Sequence, residues 1–316
     1  MHRRSLPLLL VLAVLISVGC SSGGGEQGSA APTQPTAAPA PPPEVTVRAH
    51  EYGFDAPAEI EGGVVRLILQ NDGKRKHEAV AVAAGDTPLD QVKKDLPPVV
   101  EGDGRPMPAY LHFQGGPSLV PGGTSAASTL TLPPGKYVLV CTLTDADSGD
   151  PAAGQPPADA ARFHFDLGMA VPFTVKAANT AVMPPTDGTV LARDWSFQLP
   201  PLAPGTRTLT FQNDGQQEHS LAVAEFADGI DPAAAKSAFD QFLAADAAKR
   251  APPENLPAPA DIAFAGPLTA GGRQTFTVEL KPNRTYVFAC YMTDRSGGPI
   301  HATKKGMVAY ATTPAG

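Results

Sequence analysis

The chain is short of cysteine, of aromatic rings and of basic charge. It has three cysteines and one tryptophan in 316 residues, and aromatic side chains make up 6% of it. The formal net charge is −7, and no run of Lys or Arg forms a stripe that could track phosphates, which argues against nucleic acid as a partner. Long apolar runs are missing too: the one from Leu6 to Gly19 is too short to span a bilayer. Glycine and proline are plentiful instead, with Gly 31 and Pro 35, and favour turns and linkers over long helices.

The N-terminus reads as a targeting segment. Arg3 and Arg4 supply the positive start and Leu6–Gly19 the apolar core. The run ends in "ISVGC", which resembles the bacterial lipobox. That resemblance implies removal of residues 1–19 as a signal peptide and lipidation of the Cys20 sulfur. Removal takes away Arg3 and Arg4 and no acid, so the mature chain is more acidic still. Anionic headgroups would repel such a surface, so the expected membrane attachment is the lipid anchor itself. Residues 21–43, "SSGGGEQGSAAPTQPTAAPAPPP", cannot build a core. Their Gly/Ser start is flexible and their Pro-rich end stiffer, as in a tether beyond the lipidated Cys20. The expected location is extracytoplasmic, anchored to a bacterial membrane.

Beyond the tether the chain is written twice. "LQNDGKRKHEAVAV" (69–82) returns as "FQNDGQQEHSLAVA" (211–224), and "PGGTSAASTLTLPPGKYVLVC" (121–141) as "AGGRQTFTVELKPNRTYVFAC" (270–290). "CTLTD" returns as "CYMTD" and "GMAVPFTV" as "GMVAYATT", always in the same order. Two homologous domains are expected, about 44–178 and 187–314, joined near residues 183–188.

Each copy reads as all-β. "VTVRAH" (45–50) alternates apolar and polar residues, and "VVRLILQ" (64–70), "TLTF" (208–211) and "QTFTVEL" (274–280) are β-branched or alternating. Asn-Asp-Gly after two of these strands marks turns. Many short strands with Gly/Pro turns suggest a sandwich in each copy. The exception is "DPAAAKSAFDQFLAADAAKR" (231–250), where Asp231 caps, Pro232 opens and Ala-rich residues fill a helix. "TPLDQVKKDL" (87–96) is its shorter counterpart.

Both copies present His, Cys, His and Met in one order. These are His77, Cys141, His164 and Met169, then His219, Cys290, His301 and Met307. With Cys20 given to lipid, one thiol remains per copy. A disulfide between them would need two equivalent strand ends to meet, and nothing in the sequence asks for that. Any one of these side chains alone reads as a surface His, a small core hydrophobe or a core filler. Together they account for four of seven histidines at matching places beside the only two free thiols. Two imidazoles, a thiolate and a thioether form a soft donor set that suits copper, and a trigonal His₂Cys site with a long axial Met is the blue-copper arrangement.

"NDGKRKHEAVAV", "PGKYVLVC" and "HFDLGMAVPFTV" resemble the cupredoxins, the plastocyanin and azurin group. The resemblance covers nearly all of residues 44–314. It implies a Greek-key β-sandwich in each copy, with one His from an early loop and the Cys, second His and Met from the last inter-strand loop. It also implies one or two type 1-like copper ions. The connections from Cys141 to His164 and from Cys290 to His301 are both longer than the few residues usual in that family, the first more so. The stretch from His301 to Met307 is one residue longer than that from His164 to Met169.

The function expected from this is single-electron transfer, with redox proteins at the membrane as partners and no substrate transformed. Copper storage or delivery, or a metal-free binding module on the same frame, are the alternatives. A two-domain copper oxidase or nitrite reductase would need further His-rich copper sites. The chain has no His-x-His pair, and only His50 and His112 remain in the mature chain. Asp145 and Asp294, in the repeated "TD", are expected to shape turns, and Lys304 and Lys305 to lie on a solvated loop.

Overall fold

The structure is a computed structural model that describes residues 40–148 and 161–316. The leader, Cys20 and the tether up to residue 39 lie outside the described residues, as does the middle of the Cys141–His164 connection. No described helix is long and apolar enough to cross a membrane.

The first half runs β1 (Glu44–His50), β2 (Gly53–Asp55), β3 (Glu59–Asn71), β4 (Val80–Ala83), α1 (Leu89–Glu101), β5 (His112–Phe113), β6 (Ser125–Leu132), β7 (Gly135–Val140), α2 (Asp145–Ser148), α3 (His164–Leu167) and β8 (Ala170–Ala178). One sheet sets β1 parallel to β3, with Val45 beside Leu67, and β6 antiparallel on the other side of β3, with Val65 opposite Leu130. The other sheet orders β8, β7, β4 and β5. β3 serves both sheets: its first residues pair with β8 across an irregularity between Ile60 and Gly62.

The second half repeats the plan. It runs β9 (Gly188–Arg193), β10 (Ser196–Gln198), β11 (Gly205–Asn213), β12 (His219–Glu225), α4 (Pro232–Ala247), β13 (Ala260–Leu268), β14 (Arg273–Leu280), β15 (Thr285–Ala289), α5 (His301–Lys305) and β16 (Val308–Thr312). β9 lies parallel to β11, β11 antiparallel to β14, and the second sheet orders β13, β12, β15 and β16. The chain is thus all-β in frame, two consecutive β-sandwiches with helical insertions.

Strand periodicity explains which residues reach each core. On β7, Tyr137, Leu139 and then Cys141 enter the core of the first sandwich with Leu67, Leu69, Leu130 and Phe173. Val138 and Val140 point the other way, against α1 residues Val92, Leu96 and Val99. β15 behaves alike: Tyr286, Phe288 and Cys290 point to the inner core, while Val287 and Ala289 pack under α4 on Ala235, Ala238 and Phe239.

Asp231 caps α4 through Ala233 N and Ala234 N, with Pro232 opening it, as its sequence requires. α1 extends past the expected end at residue 96, through Pro97 and Pro98 to Glu101. Val92, Leu96 and Val99 form one buried stripe at helical spacing. Each fully buried aliphatic side chain contributes about 1.5–3 kcal/mol, which offsets the hydrogen bonds that proline forgoes.

The two sandwiches are continuous. β6 meets β14 edge to edge, with Gln274 opposite Leu130 and Thr129 N donating to Thr275 Oγ1 at 2.8 Å. The fully buried Gln274 accepts from Gly116 N at 2.9 Å and donates to Gly266 O at 2.7 Å, joining one half to the other. The described residues form one compact unit.

Candidate metal centres

In each half a buried asparagine builds the loop that carries the first histidine. Asn71 Nδ2 donates to Arg75 O and Val120 O, and its Oδ1 accepts from Gly73 N. Asn213 does the same with Gln217 O, Leu268 O and Gly215 N. The Asn-Asp-Gly motif therefore does more than turn the chain: it staples the His77 and His219 loops to the neighbouring strand.

The cysteine stands at the end of β7 or β15, and the second histidine opens α3 or α5. A backbone lattice fixes the methionine to both. Cys141 N donates to Met169 O at 3.1 Å and Met169 N to His164 O at 2.9 Å; Cys290 N donates to Met307 O at 3.2 Å and Met307 N to His301 O at 3.1 Å. The additional residue between His301 and Met307 is absorbed by α5, one residue longer than α3. Gly168 is needed here: its φ is +139°, and a Cβ would stand 2.3 Å from Tyr52 O.

All eight side chains expected from the sequence are fully buried. His77, Cys141 and His164 converge, with Nδ1–Nδ1 at 3.2 Å and Sγ at 3.9 and 3.4 Å from the two nitrogens. His219, Cys290 and His301 give 3.2, 3.6 and 3.4 Å. Donors at about 2.0–2.3 Å from one ion lie roughly 3.3–3.8 Å from each other in a near-trigonal arrangement, so each triangle has the size a single ion demands. Neither long Cys–His connection prevents closure, because closure entropy grows slowly with loop length. Cys141 and Cys290 are both free thiols.

The residues behind the ligands were not read from the sequence as site residues. Asp145 and Asp294 are not merely turn formers. Asp145 Oδ1 lies 3.0 Å from His164 Nε2, and Asp294 Oδ1 lies 3.2 Å from His301 Nε2. Asp194 Oδ1 lies 3.0 Å from His219 Nε2. A carboxylate there keeps the proton on Nε2 and leaves the Nδ1 lone pair facing inward. In the second centre the two Nδ1 atoms lie 3.2 Å apart beside the sulfur, a spacing that one shared cation suits. In the first centre Glu51 stands where Asp194 stands in the second. Its carboxylate accepts from Lys74 N, as Asp194 does from Gln216 N, but leaves His77 Nε2 buried without a partner.

Two aromatic rings close the sites from the β1–β2 and β9–β10 turns. Tyr52 lies edge-on to His164 at 5.4 Å and donates its hydroxyl to Asp145 Oδ2 at 2.7 Å. Trp195 lies edge-on to His301 at 4.9 Å. Both have positive φ, 62° and 76°, a strained conformation for a bulky residue. The signal was in the repeat: an acid followed by an aromatic, Glu51-Tyr52 and Asp194-Trp195, at matching positions. Lys304 and Lys305 also belong to this shell. Their ammonium groups lie 3.1 and 3.8 Å from Asp294 Oδ2, and Lys305 Nζ sits 4.0 Å over the Trp195 ring.

Electrostatics keep the imidazoles neutral. Burial lowers His77 to about 4, helped by His164, and burial lowers His301 to about 4, helped by His219. Burial also lowers His164 and His219, against the opposing pull of Asp145 and Asp194. Burial raises both thiols, Cys290 to about 11, while backbone amides of Met292 and Ser220 favour its thiolate. Burial works against ionised Asp194 too, but hydrogen bonds from His219 and the amides of Gln216 and Gln217 outweigh it and hold the carboxyl below its usual range.

No protein-family model and no curated protein matches the chain. Among solved structures it is similar to dithionite-reduced auracyanin of the photosynthetic bacterium Roseiflexus castenholzii, at 26% identity, covering 40% of this chain and 94% of that one with a TM-score of 0.26. It is similar to auracyanin A of Chloroflexus aurantiacus, a blue copper protein, at 20% identity, covering 40% and 99% with a TM-score of 0.23. A multicopper oxidase is similar at 12% identity, covering 85% and 87% with a TM-score of 0.21. On the geometry of its own residues, each half of this chain presents the His–Cys–His donor set of a type 1-like copper site.

Proposed function

We propose that this protein is a tandem single-electron carrier with a type 1-like copper centre in each domain, 44–178 and 187–314. The observation that carries the reading is the pair of buried triangles, each with two inward Nδ1 atoms and one Sγ within 3.9 Å of each other. Copper, when bound, supplies a one-electron couple. Met169 and Met307, fully buried and tied by backbone to the second histidines, would each offer the ion a weak thioether donor.

The chain's own residues do the rest. Cysteine and the second histidine sit on a strand end and a helix start already tied by backbone hydrogen bonds, so little moves when the charge of the centre changes. Asp145 and Asp194 fix the orientation of His164 and His219 through hydrogen bonds to Nε2. Full burial keeps water from the centre. Among the described residues, the two triangles are the groups of His, Cys, Asp or Glu that could hold an ion.

Anchoring completes the proposal. Cys20 carries lipid, the tether holds the domains off a membrane, and the partners are redox proteins at that membrane. Purified native protein is expected to contain two copper ions per chain, an intense visible thiolate-to-copper band and a reversible redox wave. Cys141→Ser together with Cys290→Ser abolishes the band. Metal-loaded wild type without such a band defeats the reading, and Cu(I) bound without a reversible wave points to storage or delivery instead. Cys20→Ala is expected to release the protein from the membrane fraction.

A further inference from the structure

The loops that carry the second centre's ligands rest on the first half of the chain. We infer that Arg295, together with the 102–111 segment of the first half, positions the copper centre of the second half, so that this centre is complete only in the tandem chain. The inference rests on the copper reading above.

Arg295 lies between Cys290 and His301, directly after Asp294, which faces His301. Its backbone N donates to Gln217 Oε1 at 2.8 Å, and its guanidinium pairs with the buried carboxylate of Glu218. Gln217 and Glu218 are the two residues before His219. The same guanidinium donates to Pro108 O at 3.1 Å, Ala109 O at 3.3 Å and Leu111 O at 3.2 Å, all in the first half. One planar fork thus ties both ligand loops of the second centre to a turn of the other sandwich, a task that suits its five fixed donors. Glu218 is 1% exposed at its side chain. Removing the cation leaves a buried carboxylate without its counter-ion.

The backbone repeats the connection. Met107 N donates to Arg295 O at 2.8 Å and Gly298 N to Gly104 O at 3.1 Å. Gly297 has φ +86°, and a Cβ there would come within 2.2 Å of Gly104 O, so the approach requires glycine. Gly102 lies against Thr293 and Ile300, the residues bridged at the base of the Cys–His connection. The first centre is built differently. Asp145 takes its cation, Arg75, from its own half at 3.1 Å, and Ala146 and Lys76 stand where Arg295 and Glu218 stand in the second.

Full-length protein carrying Cys141→Ser isolates the second centre. In it, Arg295→Ala is expected to weaken Cu(II) binding about 10–100-fold and to alter the copper hyperfine coupling of its EPR spectrum, with Arg295→Lys restoring part of both. Arg295→Ala in a Cys290→Ser chain should leave the affinity and spectrum of the first centre unchanged, which separates positioning from general damage. A third readout needs no change at Arg295: Cu(II) should slow amide hydrogen exchange over residues 102–111 in wild type but not in Cys290→Ser. That measurement decides the matter should Arg295→Ala not fold. An unaltered second centre in folded Arg295→Ala, or exchange at 102–111 indifferent to copper, overturns the inference. Absence of copper from both centres of wild type would instead sink the electron-carrier reading beneath it.

Discussion

The two halves hold the same donor triangle within a few tenths of an ångström, yet they support it differently. In the second centre both imidazoles have a carboxylate behind them: Asp194 accepts from His219, and Asp294 stands 3.2 Å from His301 Nε2 without hydrogen-bond geometry. In the first only His164 does, through Asp145, and His77 Nε2 is buried without a partner. The first half offers a longer acid at the matching place: Glu51 keeps the amide contact, accepting from Lys74 N as Asp194 accepts from Gln216 N, but does not reach His77 Nε2. Duplication conserved what the ion would touch and let the groups behind it diverge. Donor geometry and donor orientation are therefore separate properties, and a repeat can preserve one while varying the other.

The largest expected effect tests the equivalence of the triangles. Cys290→Ser should take copper stoichiometry from two ions to one, and Cys141→Ser should do the same, each leaving the other centre's spectrum intact. Retention of two ions in either variant would break the comparison at its root.

Acid should come next. In the metal-free protein, burial holds His77 and His301 near 4, below the ordinary 6.5, so folding favours the neutral ring. The unfolded chain binds these protons first. Stability is therefore full above about pH 6.5 and falls as pH drops toward 4, by on the order of 3 kcal/mol per imidazole. Thermal melting of the apo protein between pH 7 and 4 checks the direction, and a melting temperature flat across that window would contradict it.

The difference behind the ligands is sharpened by Asp194→Ala, expected to weaken copper at the second centre about 10–100-fold. Glu51→Ala should change the first centre far less, since its carboxylate does not reach His77 Nε2. Equal effects in isothermal titration of the single-centre variants would erase the asymmetry. Gln274→Ala leaves Gly116 N and Gly266 O without partners at the seam between halves, a loss of about 1–3 kcal/mol seen as a lower denaturation midpoint. The smallest effect belongs to Lys305→Ala, which removes the cation over Trp195 and should cost about 0.5–1 kcal/mol in the same assay.

Much of this was legible in the order of residues alone. Asp231-Pro232 opened α4 where the helix signals put it. Duplication pointed to the six imidazole and thiol side chains that the fold brings together, since chance does not set His, Cys and His twice in one order. The reading of 87–96 ended α1 too early, because burial of Leu96 and Val99 carries the helix through Pro97 and Pro98. Local rules also misjudged Asp145 and Asp294. A short acid after a strand has a good local use in a turn, and nothing in its neighbours shows that a histidine further along the chain returns to meet it.

The sequence by itself determined the repeat, the strand periodicity, the helix signals and the identity of the donors, because each is a property of neighbouring residues or of the order they come in. The tertiary structure alone decided that the donors meet, which acids stand behind them, and that Arg295 of one half holds the turn of the other. Those are contacts between segments far apart along the chain, fixed by how two closed cores pack rather than by any local preference.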